Sequence, residues 1–319
     1  MLRKFFIWLS RLNWAQRLIT KSKIASRMVL RFVAGESIDD AVEVIRILNQ
    51  QGLLATVDFL GEDTHTSADA DDATQEIIGA LEAIQKTELR CNVSLKLSQL
   101  GLMLDEQICR TNLSMILNKA AALGNFVRID MEDSSLTDVS LTILSWAVEQ
   151  GFSNVGIVLQ SYLYRTADDI QTMPIKGMTF RLCKGAYNEP ATVAFPQKTD
   201  VDANFDKIVK LLFERSKALN FPCLSESGRY PSIPGIATHD EVRIQNAIQL
   251  MEEFQMPRDA MEFQMLYGIR RELQMELVEQ KYQVRVYVPY GTHWYRYFMR
   301  RLAERPANIW FIVSNFFKK

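Results

Sequence analysis

The sequence predicts an α/β fold, a (β/α)8 TIM-like barrel preceded by an N-terminal helical arm. Eight short apolar or β-branched runs alternate with longer amphipathic stretches, as expected for parallel strands joined by helices. The main rival is an open doubly wound sheet, but the chain has neither its G-x-G glycine pattern nor a G-x-x-x-x-G-K-[ST] loop. Polar residues recur where the predicted strands end, which favours the barrel because its strand ends converge on one face.

The predicted elements follow from residue type and spacing. Strands are predicted where a run is short, apolar and rich in β-branched residues: Leu53–Leu60, Cys91–Ser98, Phe126–Met131, Asn154–Gln160, Gly177–Lys184, Ile233–Asp240, Met261–Leu266 and Gln283–Tyr290. Helical spacing of apolar residues predicts helices over Asp105–Leu123, Leu136–Gln150, Val201–Leu219, Glu241–Phe254 and Ile269–Lys281. Gly124 and Gly151 follow two of them, as helix-ending glycines often do.

The first 31 residues form a basic arm. Met1–Arg31 contains eight Lys or Arg residues and no acid, so it carries +8 while the remainder of the chain carries -9. Apolar residues at helical spacing among these charges are typical of a helix on a membrane surface, and equally of a helix packed on the main domain. No stretch of about 18 apolar residues predicts a transmembrane helix. We expect a cytoplasmic protein, with peripheral attachment to the inner face of the plasma membrane as a hypothesis for the arm.

The composition excludes several function classes. Lys+Arg total 37 against 38 for Asp+Glu, so the whole chain has no basic field for nucleic acid. The four cysteines form no C-x-x-C pair, which argues against disulfide frameworks and zinc sites. The three histidines form no metal-binding motif, so we expect no metal.

Seven polar residues lie at or near predicted strand ends and are therefore expected to share one site: Lys96, Asp130, Gln160, Arg181, Lys184, His239 and Tyr287. Lys96 follows an apolar strand, where an ammonium needs a carboxylate or an anionic ligand. Asp130 continues the third strand pattern, unlike the acids after it. Each residue alone could also be an ordinary solvated strand end.

Two further segments suggest ligand binding. Arg181 and Lys184 are cations three residues apart at a strand end, followed by Gly185, Ala186 and Tyr187; they suit an anionic or electron-rich cofactor, although an ordinary turn fits equally well. Near the C-terminus, Tyr297 is helically aligned with Arg300 and Arg301, and Glu304 can pair with Arg300. Adjacent arginines in one pocket would bind a small carboxylate, and the alternative is a solvated salt-bridge face.

Taken together, these segments resemble the proline dehydrogenase family over about residues 32–312. The resemblance is carried by a motif series in order: Phe32-Val-Ala-Gly-Glu36, Ser94-Leu-Lys-Leu-Ser98, Asp130-Met-Glu132, Val158-Leu-Gln-Ser-Tyr162, Arg181-Leu-Cys-Lys-Gly-Ala-Tyr187, Ala237-Thr-His-Asp240, Phe263-Gln-Met-Leu-Tyr-Gly268, Tyr287-Val-Pro-Tyr-Gly291 and Tyr297 through Asn308. The ending is similar to the monofunctional bacterial type. This divides the chain into the arm (1–31), an FAD-binding barrel (32–312) and a C-terminal tail (313–319).

The resemblance implies a distorted (β/α)8 barrel that binds FAD non-covalently. It implies oxidation of L-proline to Δ1-pyrroline-5-carboxylate, the first step of proline catabolism, with electrons passed to a membrane quinone. Because that acceptor lies in the bilayer, the arm and the apolar stretch Ile309–Phe317 are expected to dock there. A separate pyrroline-5-carboxylate dehydrogenase is a further partner that the resemblance suggests.

Roles for individual residues also follow from the resemblance. Asp130 and Arg181 are the implied catalytic residues, with Asp130 pairing with Lys96 and Arg181 lying against the flavin. The implied substrate-binding residues are Lys96, Tyr187, Leu266, Tyr287, Tyr297, Arg300 and Arg301. The implied cofactor contacts, besides Arg181, are Met131, Gln160, Lys184, Gly185, Ala186, Thr238 and His239, with Glu304 in support.

Two features of the chain bear on specificity and on alternatives. Asn188 stands where the bifunctional enzymes carry a tryptophan against the adenine, so the adenine end is held differently here. The resemblance also places Tyr287 where relatives acting on hydroxyproline carry a smaller residue, because a ring there leaves little space for a 4-hydroxyl group; this favours proline over hydroxyproline. Rival functions are oxidation of another cyclic amino acid, a flavin-free lyase using Lys96 as a Schiff-base nucleophile, and a catalytically inactive membrane-surface protein.

Overall fold

A computed structural model describes residues 29–61, 64–173 and 178–304. The strands are β1 (Leu54–Phe59), β2 (Cys91–Leu95), β3 (Val127–Ile129), β4 (Val155–Gln160), β5 (Thr179–Cys183), β6 (Pro234–Ala237), β7 (Glu262–Leu266) and β8 (Gln283–Tyr290). The helices are α1 (Ile38–Gln50), α2 (Ser67–Lys86), α3 (Glu106–Ala122), α4 (Thr137–Glu149), α5 (Thr166–Thr172), α6 (Lys198–Ala218), α7 (Glu241–Glu253), α8 (Arg271–Glu279) and α9 (Trp294–Glu304).

The eight strands form one closed parallel barrel in sequence order. Each strand pairs with the next, and β1 pairs with β8 to close the sheet. The predicted fold class is therefore confirmed, and every predicted strand is present. The largest difference is at β6, which ends at Ala237 rather than Asp240. Asp240 instead accepts a hydrogen bond from the Val242 N–H (3.1 Å) and caps α7, so the chain has already left the sheet.

All five predicted helix ranges are present, and α9 contains the helical alignment predicted for Tyr297, Arg300 and Arg301. The structure adds α1, α2 and α5, which the sequence analysis did not assign. Both α1 and α2 begin with a capping box: Ser37 pairs with Asp40, and Thr66 with Asp69. Gly124 follows α3 in a left-handed conformation, as predicted. Capping boxes thus mark the first residues of α1 and α2, and a left-handed glycine follows the last turn of α3.

The strands alternate between an apolar outer face and a polar inner face. Outward residues such as Val57 and Phe180 are at most 1% exposed and belong to the main apolar core between barrel and helices. Inside the barrel, Arg285 forms a bidentate ion pair with Glu262 at 2.8 and 2.9 Å. Barrel interiors are usually filled by branched apolar residues. Here a polar layer fills that space and connects directly to the site above it.

A second apolar cluster fixes α9 over the barrel mouth. Phe32 packs against Phe298, with ring centroids 6.1 Å apart, in a cluster that also contains Leu60 and Ile269. The Trp294 indole N–H points to the Glu36 carboxylate at 3.3 Å. Because α9 follows β8 directly, this packing holds its inner face above the carboxyl ends of the strands.

Within the described ranges, no helix is both long and apolar enough to cross a membrane. Most of the predicted basic arm (1–31) and the tail (313–319) lie outside the described residues. The proposed domain boundaries therefore stay predictions.

Candidate active site

The carboxyl ends of the strands surround a cavity of about 640 Å³, within the usual range for a small-molecule site. Of the seventeen predicted site residues, fifteen line it: Lys96, Asp130, Met131, Gln160, Arg181, Lys184, Gly185, Ala186, Tyr187, Thr238, His239, Leu266, Tyr287, Tyr297 and Arg301. The remaining two are Arg300 and Glu304, which belong to α9 but whose side chains lie outside the described part of the chain. The predicted convergence of strand ends is thus confirmed.

Asp130, directly after β3, organises the centre of the cavity. Its Oδ1 accepts hydrogen bonds from Arg181 Nη1 (2.8 Å) and Ser94 Oγ (2.7 Å). Its Oδ2 accepts one from the Tyr287 hydroxyl at 2.7 Å. Burial, followed by the charges of Asp130 and Asp58, raises the pKa of Tyr287 well above its ordinary value. The phenol therefore stays protonated and donates to Asp130.

Lys96 forms its ion pair with a carboxylate that the sequence analysis missed. Its Nζ lies 3.3 Å from Oδ2 of Asp58, a β1 residue whose side chain is 1% exposed. The pairing with Asp130 implied by the resemblance differs from this arrangement, because Asp130 pairs with Arg181 instead. The centre of the cavity thus contains the Lys96–Asp58 and Arg181–Asp130 ion pairs.

Arg181 is fixed from the barrel interior as well as from Asp130. Its Nε donates to Gln264 Oε1, and Gln264 Nε2 donates to Glu262, which is itself held by Arg285. The guanidinium also lies 5.3 Å from the centre of the Tyr287 ring. A planar donor bound on two edges and stacked on an aromatic ring has little freedom to turn.

Lys184 lies in a cluster of opposite charges at the cavity rim. Its ammonium contacts Asp202 (2.5 Å) and Asp240 (2.7 Å), and Lys198 contacts the same two carboxylates. Burial opposes ionisation of Asp240, but the hydrogen bond from Lys184 and the charges of Lys184 and Lys198 outweigh it and lower its pKa to about 2. The cluster holds the Lys184 side chain in place at the edge of the site.

The backbone after Lys184 requires glycine. Gly185 has φ +108, and a Cβ there would come within 2.3 Å of the Tyr162 ring. Ala186 and Tyr187 follow on the cavity wall, and Tyr187 is 37% exposed. The segment thus brings backbone and small side chains to the cavity surface, as the sequence predicted.

Gln160, at the end of β4, presents an unused acceptor in the cavity wall. Its Nε2 donates to the Glu132 carbonyl at 3.3 Å, whereas its Oε1 is buried without a hydrogen-bond partner among the described residues. A buried amide oxygen of this kind is costly unless a ligand donates to it. The site therefore fits a ligand with an N–H donor at this position.

Aromatic and apolar side chains line a further part of the cavity wall, in contrast to the charged groups described above. Tyr287 and Leu266 come from neighbouring strands, and Tyr297 comes from α9. The Arg301 guanidinium lies 5.1 Å from the Tyr297 ring centre. His239 Nε2 accepts a hydrogen bond from the Leu266 N–H at 3.0 Å, which fixes this part of the wall. Cations beside aromatic rings suit a small ligand that is part carboxylate and part apolar ring.

Sequence reasoning assigned no site role to eight of the described residues that line the cavity. Asp58, Gln264 and Lys198 are among them. Asp58 carried a usable signal, since a carboxylate inside an apolar run is costly unless paired. Gln264 and Lys198 carried none, because amides and lysines at such positions are common.

Comparisons with known proteins agree with the geometry. The chain matches the family model described as proline dehydrogenase over residues 41–313. It is 42% identical over 319 residues to proline dehydrogenase 1 of Bacillus subtilis (strain 168), covering 100% of each chain. It is 41% identical over 292 residues to the proline dehydrogenase of Deinococcus radiodurans, covering 90% of this chain and 89% of that one.

Two solved structures with the same fold belong to longer proteins. Proline utilization A (PutA) of Bdellovibrio bacteriovorus aligns with TM-score 0.77 and 24% identity, covering 88% of this chain and 33% of that one. PutA of Bradyrhizobium japonicum aligns with TM-score 0.71 and 21% identity, covering 91% and 32%. The chain thus spans about a third of these PutA chains. On the family match and the full-length relatives, the chain belongs to the proline dehydrogenase family.

Proposed function

We propose that this chain oxidises L-proline to Δ1-pyrroline-5-carboxylate, using bound FAD as the hydride acceptor and a membrane quinone as the final acceptor. The observation that carries the proposal is the cavity described above. It combines carboxylate-binding cations, aromatic walls and the Arg181–Tyr187 segment, all from residues that the family resemblance names. Proline needs this combination because it is a small ring bearing one carboxylate.

Substrate orientation would come from Arg301 and Lys96. Both line the cavity, and both offer charge-assisted hydrogen bonds to a carboxylate. The resemblance adds Arg300. Tyr287, Tyr297 and Leu266 would enclose the pyrrolidine ring. A substrate held by its carboxylate and by its ring has its reacting C–H bond in one orientation, which is the main contribution a protein makes to a hydride transfer.

The residues present fit a flavin. The buried Gln160 Oε1 would accept a hydrogen bond from the ring N–H that the isoalloxazine group carries, and Gly185 and Ala186 leave the backbone accessible. FAD would supply the hydride acceptor. Arg181 would provide positive charge beside that acceptor, and Asp130 and Gln264 would hold the guanidinium in place.

Hydride loss requires the neutral amine, so the substrate ammonium must first release a proton. The aromatic and apolar wall limits water around the bound ring. Tyr287 stays protonated at its hydroxyl, because that group donates to Asp130. The chain therefore controls the position and charge around the substrate nitrogen, while the cofactor receives the electrons.

An absorption spectrum of the purified protein before and after anaerobic addition of L-proline tests this proposal. We expect a flavin spectrum that proline bleaches. Bound flavin that proline leaves unchanged would move the substrate to another cyclic amine. Folded protein that takes up no FAD when supplied with it would overturn the proposal and favour a lyase that uses Lys96.

We extend the proposal to location. The enzyme would be cytoplasmic and would attach peripherally to the inner face of the plasma membrane through its basic arm, because the quinone lies in the bilayer. Deleting residues 1–31 should abolish co-sedimentation with anionic vesicles and slow turnover with a membrane quinone, while a soluble dye acceptor is reduced at the normal rate. Unchanged co-sedimentation and quinone turnover would refute this part. A separate pyrroline-5-carboxylate dehydrogenase would consume the product.

A further inference from the structure

The cavity contains a buried carboxylate to which neither the motif series nor the chemistry above gives a role. Asp58 is the fifth residue of β1 and lines the cavity. The residue is fully buried, and its carboxylate reaches Lys96 Nζ at 3.3 and 3.5 Å. An ionised carboxylate in such a place is costly, so it is expected to serve a charged neighbour.

The neighbour that Asp58 serves is in the substrate cavity. Lys96 follows β2, the strand next to β1, and its side chain is 11% exposed. At that depth a lysine without a counter-charge tends to lose its proton. A neutral amine would be a poor partner for a carboxylate, whereas the paired ammonium remains a cation.

We propose that Asp58 is a positioning residue that keeps Lys96 charged and directed into the cavity, where the ammonium receives the substrate carboxylate. The proposal rests on the proposed function, since it takes the ligand to be a cyclic amino acid. Asp58 acts through Lys96 and does not itself touch the substrate.

Other charged or titratable groups also face this cavity, and their effect on the pH dependence of binding must be distinguished from that of Lys96. They include Asp130 after β3, Arg181 on β5, His239 after β6, Tyr287 on β8, Tyr297 and Arg301 on α9, and at the rim Cys183, Lys184, Tyr187, Lys198 and Asp240. The Asp130 carboxylate is engaged by Arg181 and Tyr287. The double variant, which removes both the Lys96 amine and the Asp58 charge, leaves all of these groups in place, so any remaining pH dependence in it belongs to them.

The test measures binding of cyclopentanecarboxylate, which has the ring and the carboxylate of proline but no amine to titrate. Isothermal titration calorimetry on the full-length holoenzyme gives the dissociation constant at about pH 6.5 and about pH 9, where the ligand is fully ionised. Wild type, Asp58→Asn, Lys96→Met and the double variant are compared. Thr56→Val, on the same inner face of β1 but outside the cavity wall, is the control for disturbance of the strand.

In wild type and Thr56→Val, the dissociation constant should be nearly the same at both pH values. In Asp58→Asn it should rise about tenfold or more from the lower to the higher pH, because the ammonium without the Asp58 charge loses its proton more readily. The double variant should bind weakly without this pH dependence. Lys96→Met should bind at least as weakly as the double variant, because its Asp58 carboxylate has lost its counter-charge and repels the ligand carboxylate.

Three results would overturn the proposal. Asp58→Asn could bind like wild type at both pH values, or it could bind more weakly by the same factor at both, which indicates only a structural role. The double variant could also bind more weakly than Lys96→Met, which would give Asp58 a role independent of Lys96. If Asp58→Asn alone does not fold, the dissociation constants of Lys96→Met and the double variant decide whether Asp58 acts through Lys96. If the double variant also fails to fold, Asp58 is a residue of the structural core and the proposal is overturned.

Failure of the proposed function would look different. Wild-type holoenzyme would then neither bind cyclopentanecarboxylate nor be bleached by L-proline. If wild type does both and the Asp58 variants match it, only the role of Asp58 is refuted.

Discussion

Replacing Asp130 with asparagine tests how the centre of the site is held. Asparagine has nearly the same shape, and its amide can keep one oxygen toward Arg181 Nη1, now 2.8 Å from Asp130 Oδ1. Its NH2 group would face the Tyr287 oxygen, whose hydroxyl can turn to accept. The fold should therefore survive, but Arg181 loses the charge of its partner in a mostly buried position.

The expected loss follows from that geometry. Hydrogen bonds to charged groups contribute about 1.5–3 kcal/mol, so we expect a decrease of that size in the free energy of unfolding. The same energy lost in the transition state corresponds to about a 10- to 160-fold drop in kcat/KM for proline. Urea unfolding followed by circular dichroism gives the first quantity, and steady-state kinetics with a soluble acceptor gives the second.

Two matched variants make the result interpretable. Ser94→Ala removes the 2.7 Å hydrogen bond to the same oxygen without changing charge, and should cost about 1 kcal/mol of stability. Asp133→Asn makes the same chemical change at a carboxylate outside the cavity that caps a short helical turn, and should cost less than about 0.5 kcal/mol because asparagine caps equally well. If Asp130→Asn matched Asp133→Asn in both stability and kcat/KM, the ion pair with Arg181 would not organise the site.

Three further predictions test other parts of the site. Gly185→Ala places a Cβ at a positive φ and against the Tyr162 ring, so it should lower the free energy of unfolding by about 2–4 kcal/mol and reduce the flavin content. Urea unfolding measures the first quantity and absorbance the second. Normal values for both would show that the backbone adjusts freely. Asp240 has a lowered pKa, so its pairing with Lys184 stabilises the fold above about pH 4, and this stabilisation is lost as the pH falls toward 2. Asp240→Asn keeps the helix cap, and it should make the loss of unfolding free energy between pH 5 and pH 2 smaller by about 1 kcal/mol. An unchanged dependence of the unfolding free energy on pH would contradict this. Tyr287→Ser opens space beside the ring, so turnover of trans-4-hydroxyproline relative to proline should increase, and an unchanged ratio would show that Tyr287 does not set this preference.

Local patterns in the chain were sufficient for most of the fold. The strand Gln283–Tyr290 was predicted with the bounds that the structure has. A short run rich in β-branched and apolar residues is stable as a buried strand, so its composition marks both ends. Gly124 and Gly151 marked helix ends because only glycine adopts their left-handed backbone readily. α1 and α2 were not assigned, although each begins with a capping box that the sequence already contained.

The same reasoning located most of the site but not its pairings. Lys96, Asp130 and Arg181 were predicted to meet because parallel strands of a barrel all point their carboxyl ends to one face. Which carboxylate pairs with which cation depends on strand register around the barrel and on side-chain direction. Those quantities place Asp58 beside Lys96, and they place Asp130 beside Arg181.

The sequence by itself determined the barrel, the face that carries the site and the residue types gathered there, since strand and helix periodicity and strand-end positions are local properties of the chain. Only the tertiary structure decided the Lys96–Asp58 and Arg181–Asp130 ion pairs and the buried hydrogen bond from Arg181 to Gln264. These contacts join residues of different strands or of the loops that follow them, at separations of 38 to 83 positions. Their partners are chosen by closure of the sheet, and no local spacing records that choice.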